Sequence, residues 1–233
     1  MALAIDATAT AATHTAGATS LDNSNLTIGS GATGLLVTVI FQAVSVVASG
    51  VSITWDNGGT NQAMTKIRDD ASANVNGIIH LWGLVNPTSG NKTLHVAWTN
   101  SCPAVLTAMS FSGGITTSVA TAFSTGATNN ALSGSPSLSL SGASGNISAC
   151  VTDDTTGTSS GLTATGSSAW FSDSVEANLS TRGATAPSTA TVSWSGSPAS
   201  TEWVATGVDI IAAASTRKLF KMYVPILGPV LAR

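Results

Sequence analysis

The sequence predicts an all-β protein, a jelly-roll-like antiparallel β-sandwich. Three observations support this fold class. Short stretches alternate apolar and polar residues, as where Val51, Ile53 and Trp55 are separated by Ser52 and Thr54, which is the period-2 pattern of a half-buried strand. Clusters of Gly, Ser, Asn and Pro interrupt such stretches about every 8–12 residues, as in sandwiches and barrels. No stretch carries a convincing apolar stripe with the helical period.

The composition favours a folded chain with little surface charge. Charged residues make up 8% of the 233 positions, against roughly 25% in an ordinary soluble domain. Ser, Thr, Ala and Gly together occupy more than half of the chain, and such small side chains suit closely packed strands and surfaces that meet other proteins. Six tryptophans and a mean hydropathy of +0.31 argue against a disordered low-complexity chain.

The N-terminal stretch MALAIDATATAATHTAGATS does not resemble a secretory signal peptide, because it has neither a basic residue nor an apolar core. The longest apolar run, residues 35–41, is too short to span a membrane. We therefore expect synthesis in the host cytoplasm without export by the general secretory route. Cys102 and Cys150 are then expected to be buried thiols, although a disulfide between them stays open as an alternative.

The strands of the first half follow from apolar alternation and from the turns beside them. Residues 1–32 are rich in Ala and Thr with weak alternation, and we predict edge strands there. Residues 35–41 are almost entirely apolar, which indicates a central strand buried on both faces. Residues 49–56 and 62–69 are predicted to pair as a hairpin around an Asn-Gly-Gly turn. Further strands are predicted at residues 77–85, 93–99 and 105–111.

The second half carries weaker signals. Residues 115–137 are rich in Thr, Ser, Gly and Asn, and we predict a long loop that crosses between the two sheets. The β-sandwich domain is expected to span residues 33–214, followed by a distinct C-terminal arm at residues 215–233. The remaining strands are predicted at residues 137–140, 147–152, 168–175, 189–194 and 203–211.

The hairpin region carries a family resemblance. Its sequence VSITWDNGGTNQAMT, residues 51–65, resembles a segment of small β-sandwich domains in bacteriophage structural proteins and some bacterial surface proteins. The stretch WGLVNPTSG at residues 82–90, Ser-Phe-Ser-Gly at 110–113 and a closing strand at 203–210 match the same domains. The resemblance covers about residues 35–213. Its motifs are packing and turn residues, so it implies a fold and no catalytic residue.

The sequence contains no catalytic or cofactor motif. It has three histidines, His14, His80 and His95, but no G-x-S-x-G elbow, no H-E-x-x-H and no C-x-x-C. His80 shares a strand face with Ile78 and Trp82 and is expected to be a satisfied core or semi-buried histidine. His95 should point away from its apolar neighbours. We therefore predict no enzymatic activity, no cofactor, and no catalytic, cofactor-binding or metal-binding residue.

Two acidic pairs and the tryptophans are the remaining candidate binding groups. Asp69-Asp70 and Asp153-Asp154 could supply oxygens to calcium, but they match no defined calcium loop, so solvated carboxylates at strand ends are favoured. A row of exposed aromatic rings could bind sugars. Most of the tryptophans are instead expected to pack in the core. They are Trp55, Trp82, Trp98, Trp170, Trp194 and Trp203.

The C-terminal arm differs in charge from the rest of the chain. Residues 1–216 carry four basic against eleven acidic side chains, a net charge of −7, whereas residues 217–233 carry four basic and no acidic side chains. Most other arm residues are apolar, and two prolines and a glycine oppose a long helix. We predict that the arm binds a different polypeptide, with packing on its own domain as the alternative. The predicted contact residues are Arg217, Lys218, Phe220, Lys221, Tyr223, Ile226 and Leu227.

These observations favour a non-enzymatic virion structural protein, and the resemblance points to a bacteriophage capsid-decoration or head-surface protein located on the virion. We expect a homo-oligomer, with a trimer favoured, that binds a capsid or other virion protein through the arm. Contact of the sandwich domain with nucleic acid or a membrane is not expected. The alternatives are a carbohydrate- or receptor-binding module of a tail fibre or cell surface, and a single-jelly-roll shell protein.

Overall fold

A computed structural model of the chain describes residues 2–14, 18–42, 48–154, 162–165, 168–174, 180–187, 191–195 and 202–214. Over these residues the molecule consists of twenty β-strands and one four-residue helix, and the strands pair antiparallel. The all-β sandwich class predicted by the sequence is therefore confirmed. No helix in this part of the chain has the length and apolarity needed to cross a membrane.

The first half of the chain supplies twelve strands. They are β1 (Ala4–Thr8), β2 (Ala12–His14), β3 (Ser20–Asn23), β4 (Thr27–Ile28), β5 (Gly34–Gln42), β6 (Ser49–Trp55), β7 (Gln62–Ala63), β8 (Thr65–Ala71), β9 (Gly77–Val85), β10 (Gly90–Asn91), β11 (Leu94–Thr99) and β12 (Ala104–Ser112). The second half supplies the helix and eight strands. They are α1 (Val119–Ala122), β13 (Ala127–Ala131), β14 (Ser137–Ser139), β15 (Ile147–Asp154), β16 (Thr163–Thr165), β17 (Ser168–Ser174), β18 (Ser180–Pro187), β19 (Thr191–Ser195) and β20 (Trp203–Ile210).

Within the described residues the strands form four main sheets, which we number in their order of stacking. Sheet I contains β3, β11, β6 and β7 in that order. Sheet II contains β1, β12, β5, β9 and β8, with β2 also paired to β12. Sheet III contains β13, β20, β15, β18 and β17, and sheet IV contains β14, β19 and β16. Strands β4 and β10 pair with each other in a two-stranded ribbon that is not hydrogen-bonded to these sheets.

Three apolar cores separate the four sheets in the part of the chain that the structure describes. The first core lies between sheets I and II and contains Trp55 from β6 and Phe41 from β5. The second core lies between sheets II and III and contains Ile79 from β9 and Val204 from β20. The third core lies between sheets III and IV and contains Trp194 from β19. The two central sheets are therefore covered on both faces.

Strand β5 shows how one strand serves two cores. Leu35 and Val37 lie in the first core, whereas Leu36 and Ile40 lie in the second, because successive side chains of a strand point to opposite faces. All nine residues of β5 are buried. The predicted central strand over residues 35–41 is therefore confirmed.

The sequence predicts two facing sheets, but the structure stacks four. Sheet III provides the reason, because β15 also sends its side chains into two cores. Val151 lies in the second core and Cys150 in the third. Small side chains such as Ala149 and Ala184 let the layers pack closely there, and they carry little of the apolar signal that marks a doubly buried strand. The jelly-roll topology predicted for the domain is not confirmed.

The predicted hairpin is only partly present. Strands β6 and β7 pair through two residues each, and the Met64 N–H then donates to the Ile53 carbonyl oxygen at 2.9 Å. Met64 places its side chain in the first core, and the chain crosses to sheet II, where β8 pairs with β9. Residues 65–69 thus belong to the sheet that faces β6.

The prediction of a long loop over residues 115–137 is wrong. Ser118 caps α1, and its Oγ accepts a hydrogen bond from the Thr121 N–H at 3.3 Å. Strand β13 follows and pairs with β20 at the edge of sheet III. No alternation marks β13, because its residues ATNNA include no large apolar side chain. The unpredicted strand β18 has the same character, since Ala184 and Ala186 are its contribution to the third core.

Helix α1 lies directly on β9 at Gly83. A Cβ atom at Gly83 would be 2.6 Å from Phe123 Cε2 and 2.9 Å from Val119 Cγ1, so only glycine permits this approach. The helix is also tied to the end of sheet III, because the Ile211 N–H donates to the Ala122 carbonyl oxygen at 2.9 Å. It therefore bridges the two central sheets.

The two ends of the chain differ in what can be described. Residues 1–32 contribute β1 and β2 to one edge of sheet II and β3 to one edge of sheet I. Their separation from residues 33–214 as a distinct segment stays a prediction. The predicted arm, residues 215–233, lies outside the described residues.

Candidate functional site

A small polar pocket lies where β8 and β9 of sheet II face the start of β6. It has a volume of about 180 Å³. Its titratable and indole side chains are Lys66, Asp69, His80 and Trp82, and residues 48–51 close its other side. Among the described residues this pocket brings together an imidazole, an indole, an ammonium and a carboxylate.

A β-bulge in β8 brings these four side chains to one face. Lys66 pairs with Trp82 and Asp69 pairs with His80, with a register shift between Lys66 and Arg68. In an unbroken strand residues 66 and 69 would point to opposite faces, since side chains alternate. The extra residue of the bulge returns them to the same face. Lys66 Nζ and Asp69 Oδ2 form an ion pair of 2.8 Å there, with both side chains about half exposed.

His80 and Trp82, which line the pocket, each have a ring nitrogen that is shielded from solvent and makes no hydrogen bond. His80 is 7% exposed and Trp82 is 8% exposed, and neither His80 Nδ1 nor Trp82 Nε1 has a partner. Leaving such a group unsatisfied costs about 1–3 kcal/mol. The His80 ring is held by an edge-on contact with Phe41, whose ring centroid is 5.3 Å away.

Burial lowers the pKa of His80 to about 4. The carboxylates of Asp69 and Asp70 act in the opposite direction, and the Lys66 ammonium acts with burial. The ring is therefore neutral at pH 7, with one N–H donor and one nitrogen acceptor. The prediction that His80 is a buried core histidine is confirmed for its position, although its Nδ1 is unsatisfied.

The other histidine with a described side chain, His95, lies on the outer face of sheet I. Leu94 and Val96 beside it are buried in the first core, so the predicted opposite orientation of His95 is confirmed. His95 Nδ1 lies 2.5 Å from Asp22 Oδ1 on the neighbouring strand β3. His14 lies in β2, but its side chain is outside the described set.

The interpretation of the acidic pairs as solvated carboxylates is wrong for three of the four residues. Asp70 lies on the face of β8 that is turned to sheet III. It accepts hydrogen bonds from Arg68 Nε at 2.5 Å and Nη2 at 2.7 Å, and from Thr206 Oγ1 of β20 at 2.5 Å. Asp153 and Asp154 end β15 and are also buried. The half-exposed Asp69 is the exception.

Asp153 is a fully buried carboxyl group on the strand face that carries Val151. Neither of its oxygens has a hydrogen-bond partner. Burial raises the pKa of Asp153 well above 3.8, and the negative charges of Asp154 and Glu202 raise it further. The uncharged form is therefore favoured, which makes Asp153 a poor calcium ligand. In the described parts of the chain, no group of three or more His, Cys, Asp or Glu side chains is placed to hold a metal ion.

The tryptophans and cysteines are core residues. All six tryptophans are at most 8% exposed, so core packing is confirmed. Cys102 lies in the first core and Cys150 in the third, and both are free thiols. Burial raises the pKa of both thiols, that of Cys150 to about 12. The predicted contact residues of the arm lie outside the described residues. They are Arg217, Lys218, Phe220, Lys221, Tyr223, Ile226 and Leu227.

Fold and pocket together define, over the described residues, a four-layered antiparallel β protein with a small polar pocket at a sheet edge. No protein-family model, curated protein or solved structure matches the chain significantly. The resemblance of residues 51–65 to bacteriophage β-sandwich domains is therefore not tested by these comparisons and stays a prediction.

The sequence interpretation named His80, Trp82 and Asp69 without bringing them together. One signal was present, because His80 and Trp82 are two residues apart on one face of a predicted strand. Their neighbours Lys66 and Asp69 could not be assigned, because their spacing of three places them on opposite faces until the bulge is known.

Proposed function

We propose that this chain is a non-enzymatic structural protein of a virion, a capsid-decoration or other head-surface protein that binds a neighbouring polypeptide through residues 217–233. The observation that carries the proposal is the separation of charge within the chain. Residues 1–216 have a net charge of −7 and residues 217–233 a net charge of +4. Opposite charges of this size favour association between the arm and an acidic protein surface.

The surface of the described residues supports an assembly role. Its exposed large apolar side chains are Ile5, Val75 and Leu132, which do not form a long apolar run in sequence. Three of its basic side chains are paired with acids within the chain. The ion pairs are Lys66–Asp69, Arg68–Asp70 and Lys92–Asp56. A surface with so few charged side chains offers little electrostatic resistance to packing against other copies.

The composition of the arm supports the same proposal. Its apolar side chains include Phe220, Tyr223, Ile226 and Leu227. Burial of each such side chain is worth roughly 1.5–3 kcal/mol before the cost of ordering the arm. Several of them together, guided by Arg217 and its basic neighbours, would suffice to hold one subunit on another.

Deletion of residues 217–233 tests the proposal. We expect the full chain to form a homo-oligomer, most simply a trimer, whose mass is measured by light scattering after size-exclusion chromatography. The truncated chain should keep its melting temperature and elute as a monomer. A matched pair of full-length variants tests whether assembly depends on the charge of the arm. In one, Arg217, Lys218 and Lys221 are changed to Glu, and in the other Arg217→Lys, Lys218→Arg and Lys221→Arg keep the charge.

The charge-reversed variant should dissociate and the charge-conserving variant should not. Immuno-electron microscopy of particles released from producing cells then tests the location on a virion. A truncated chain that assembles normally, or that no longer folds, would show that the arm belongs to its own domain and would refute the proposal.

A second candidate function is that of a carbohydrate- or receptor-binding module. The observation that favours it is the small polar pocket lined by Lys66, Asp69, His80 and Trp82. The tryptophans do not support this function, because all six are buried and cannot form a platform of exposed indole rings.

A further inference from the structure

We propose that an apolar groove beside the last described residues receives the C-terminal arm, residues 215–233, of a neighbouring copy of this chain. This inference rests on the assembly role proposed above and names the surface that the arm binds. The groove has a volume of about 770 Å³, which is large enough for several side chains. It is lined by Ala2 and Leu3, by residues 143–146 and by residues 211–214.

The groove is apolar and carries no charge. Seven of its ten lining residues are Ala, Leu or Ile, and none is charged. Leu3 and Ile211 are only half-buried there. Ile5, two residues beyond Leu3 on β1, is 37% exposed and is one of the exposed large apolar side chains of the described residues. A contiguous apolar surface of this kind marks a binding surface for protein.

Hydrogen bonds fix one wall of the groove in place. The Ala212 N–H donates to Asn146 Oδ1 at 3.0 Å, and the Ala213 N–H donates to the Gly113 carbonyl oxygen at 2.9 Å. The Asn146 N–H also donates to the Ala143 carbonyl oxygen at 3.2 Å and closes the turn on the opposite side. Because the groove is formed before any partner arrives, it loses little conformational entropy on binding.

The point where the described chain ends identifies the occupant. Ala214 lines the groove, and the 19 residues that follow it are rich in apolar side chains. The charges are also complementary. No Lys or Arg precedes Lys66 in the sequence, and β1, which begins beside the groove, carries Asp6. The arm has four basic and no acidic side chains, so its charge favours this end of the molecule.

The spacing of residues in the arm favours the groove of a neighbour over that of its own chain. Entry into its own groove requires a reversal within residues 215–218, and these include no Gly, Asn or Asp, the residues that supply positive φ in tight hairpin turns. The turn residues at 225–229 come too late, because only four residues follow them. Leu219 can lie up to roughly 18 Å from Ala214, which suffices to cross to an adjacent subunit. Each copy would then give one arm and receive one, as in a closed ring.

Disulfide trapping between two full-length chains tests this arrangement. One chain carries a tag and Ala143→Cys at the groove, where residue 143 is exposed. The other is untagged and carries Phe220→Cys, Tyr223→Cys or Ile226→Cys in the arm. The chains are co-expressed, purified through the tag and oxidised mildly. The native Cys102 and Cys150 are buried and should not interfere. We expect at least one arm variant to form a disulfide with the tagged chain.

The matched control is Ser135→Cys in the tagged chain, because Ser135 is also exposed but does not line the groove. It should form no disulfide with any arm variant. Ser144→Trp fills the groove without a cysteine, and Ser135→Trp is its control. Ser144→Trp should raise the dissociation constant of the oligomer about tenfold or more, the worth of one buried aliphatic side chain. Ser135→Trp should leave the dissociation constant unchanged.

Two results would overturn the proposal. The first is a disulfide that forms only within one chain when Ala143→Cys and an arm cysteine are combined, which would place the arm in its own groove. The second is the absence of any disulfide together with equal assembly of Ser144→Trp and Ser135→Trp. If deletion of residues 217–233 still abolished assembly in that case, the arm would bind elsewhere on a neighbour and the assembly role would stand. Normal assembly after the deletion would instead refute both proposals.

Discussion

Replacing Gly83 with Ala should destabilise the protein by about 1–3 kcal/mol, the range for an extra group in a packed core. The new methyl carbon would lie 2.6 Å from Phe123 Cε2, 2.9 Å from Val119 Cγ1 and 3.1 Å from Ile67 Cδ1. Carbon atoms in favourable contact are about 3.5–4.0 Å apart. The nearest contact is thus too short by roughly 0.9 Å, and three side chains would have to move.

Relief of this overlap by movement of α1 is opposed by its bonds to sheet III. The Ile211 N–H donates to the Ala122 carbonyl oxygen at 2.9 Å, and the Ser124 N–H donates to the Asp209 carbonyl oxygen at 2.9 Å. A shift of the helix away from Gly83 would strain both hydrogen bonds. The cost is therefore expected in the upper part of the range.

The assay is urea unfolding of the full chain followed by tryptophan fluorescence, with a thermal melt as the second readout. One kcal/mol corresponds to a change in melting temperature of roughly 2–4 °C for a chain of this size. Gly31→Ala is the matched control, because a Cβ there meets nothing within 4 Å, and it should be neutral or slightly stabilising. In Phe123→Leu the loss caused by Gly83→Ala should shrink, since the two sites share a contact.

Equal stability of Gly83→Ala and Gly31→Ala would refute the reasoning. It would mean that α1 does not pack closely on β9 at Gly83.

The other predictions concern the cores and the titrating groups. Trp98→Ala should cost about 3–5 kcal/mol in the same urea assay, because Trp98 is 4% exposed and packs edge-on against Phe41 in the first core; an unchanged midpoint would contradict the strand register. Because the folded-state pKa of Asp153 is raised, the wild type should lose stability as pH rises above 3.8, and the stability advantage of Asp153→Asn should grow from that pH towards neutrality. Because the folded-state pKa of His80 is lowered from 6.5 to about 4, the wild type should lose stability as pH falls through that interval, and His80→Phe should flatten this part of the profile. Addition of EDTA should leave the melting temperature unchanged, whereas a drop of several degrees would indicate a bound metal ion.

The sequence was sufficient to identify the strands whose large apolar residues form runs or alternate. The predicted bounds of strands β5, β9, β12 and β20 agree with the structure to within a few residues, because these strands contribute large apolar side chains to the cores. The burial of Trp55 and Trp98 followed from the same alternation. A strand that contributes large apolar side chains to a core can thus be found from sequence alone.

Strands built from small residues could not be found in this way. Ala184 and Ala186 are buried in the third core, yet alanine is common in turns and loops of this chain, so no period-2 signal marks β18. The number of stacked sheets could not be predicted from the sequence for a related reason. A strand such as β15, which faces two cores with Ala149, Cys150 and Val151, differs little from a surface strand of equally small residues.

The pocket could not be predicted because it depends on register. His80 and Trp82 share a face by strand geometry alone. Which residues of β8 lie opposite them depends on the bulge between Lys66 and Arg68, and a bulge of this kind has no sequence signature that we could identify. The burial of Asp153 was missed because an acidic residue at a strand end is usually solvated.

The order of strands in sheet III has a consequence for synthesis on the ribosome. Sheet II is complete once β12 has emerged, and its face with Leu36, Ile40 and Leu81 is then ready to be covered. Sheet III covers this face, and its formation requires β20. This strand lies between β13 and β15 in sheet III and is the last strand in the described chain. Translation at roughly 5–20 residues per second would leave this apolar face in water for about 5–20 seconds. The yield of soluble protein should therefore depend on translation speed between residues 113 and 210, and chaperones that bind apolar surfaces should act within that interval.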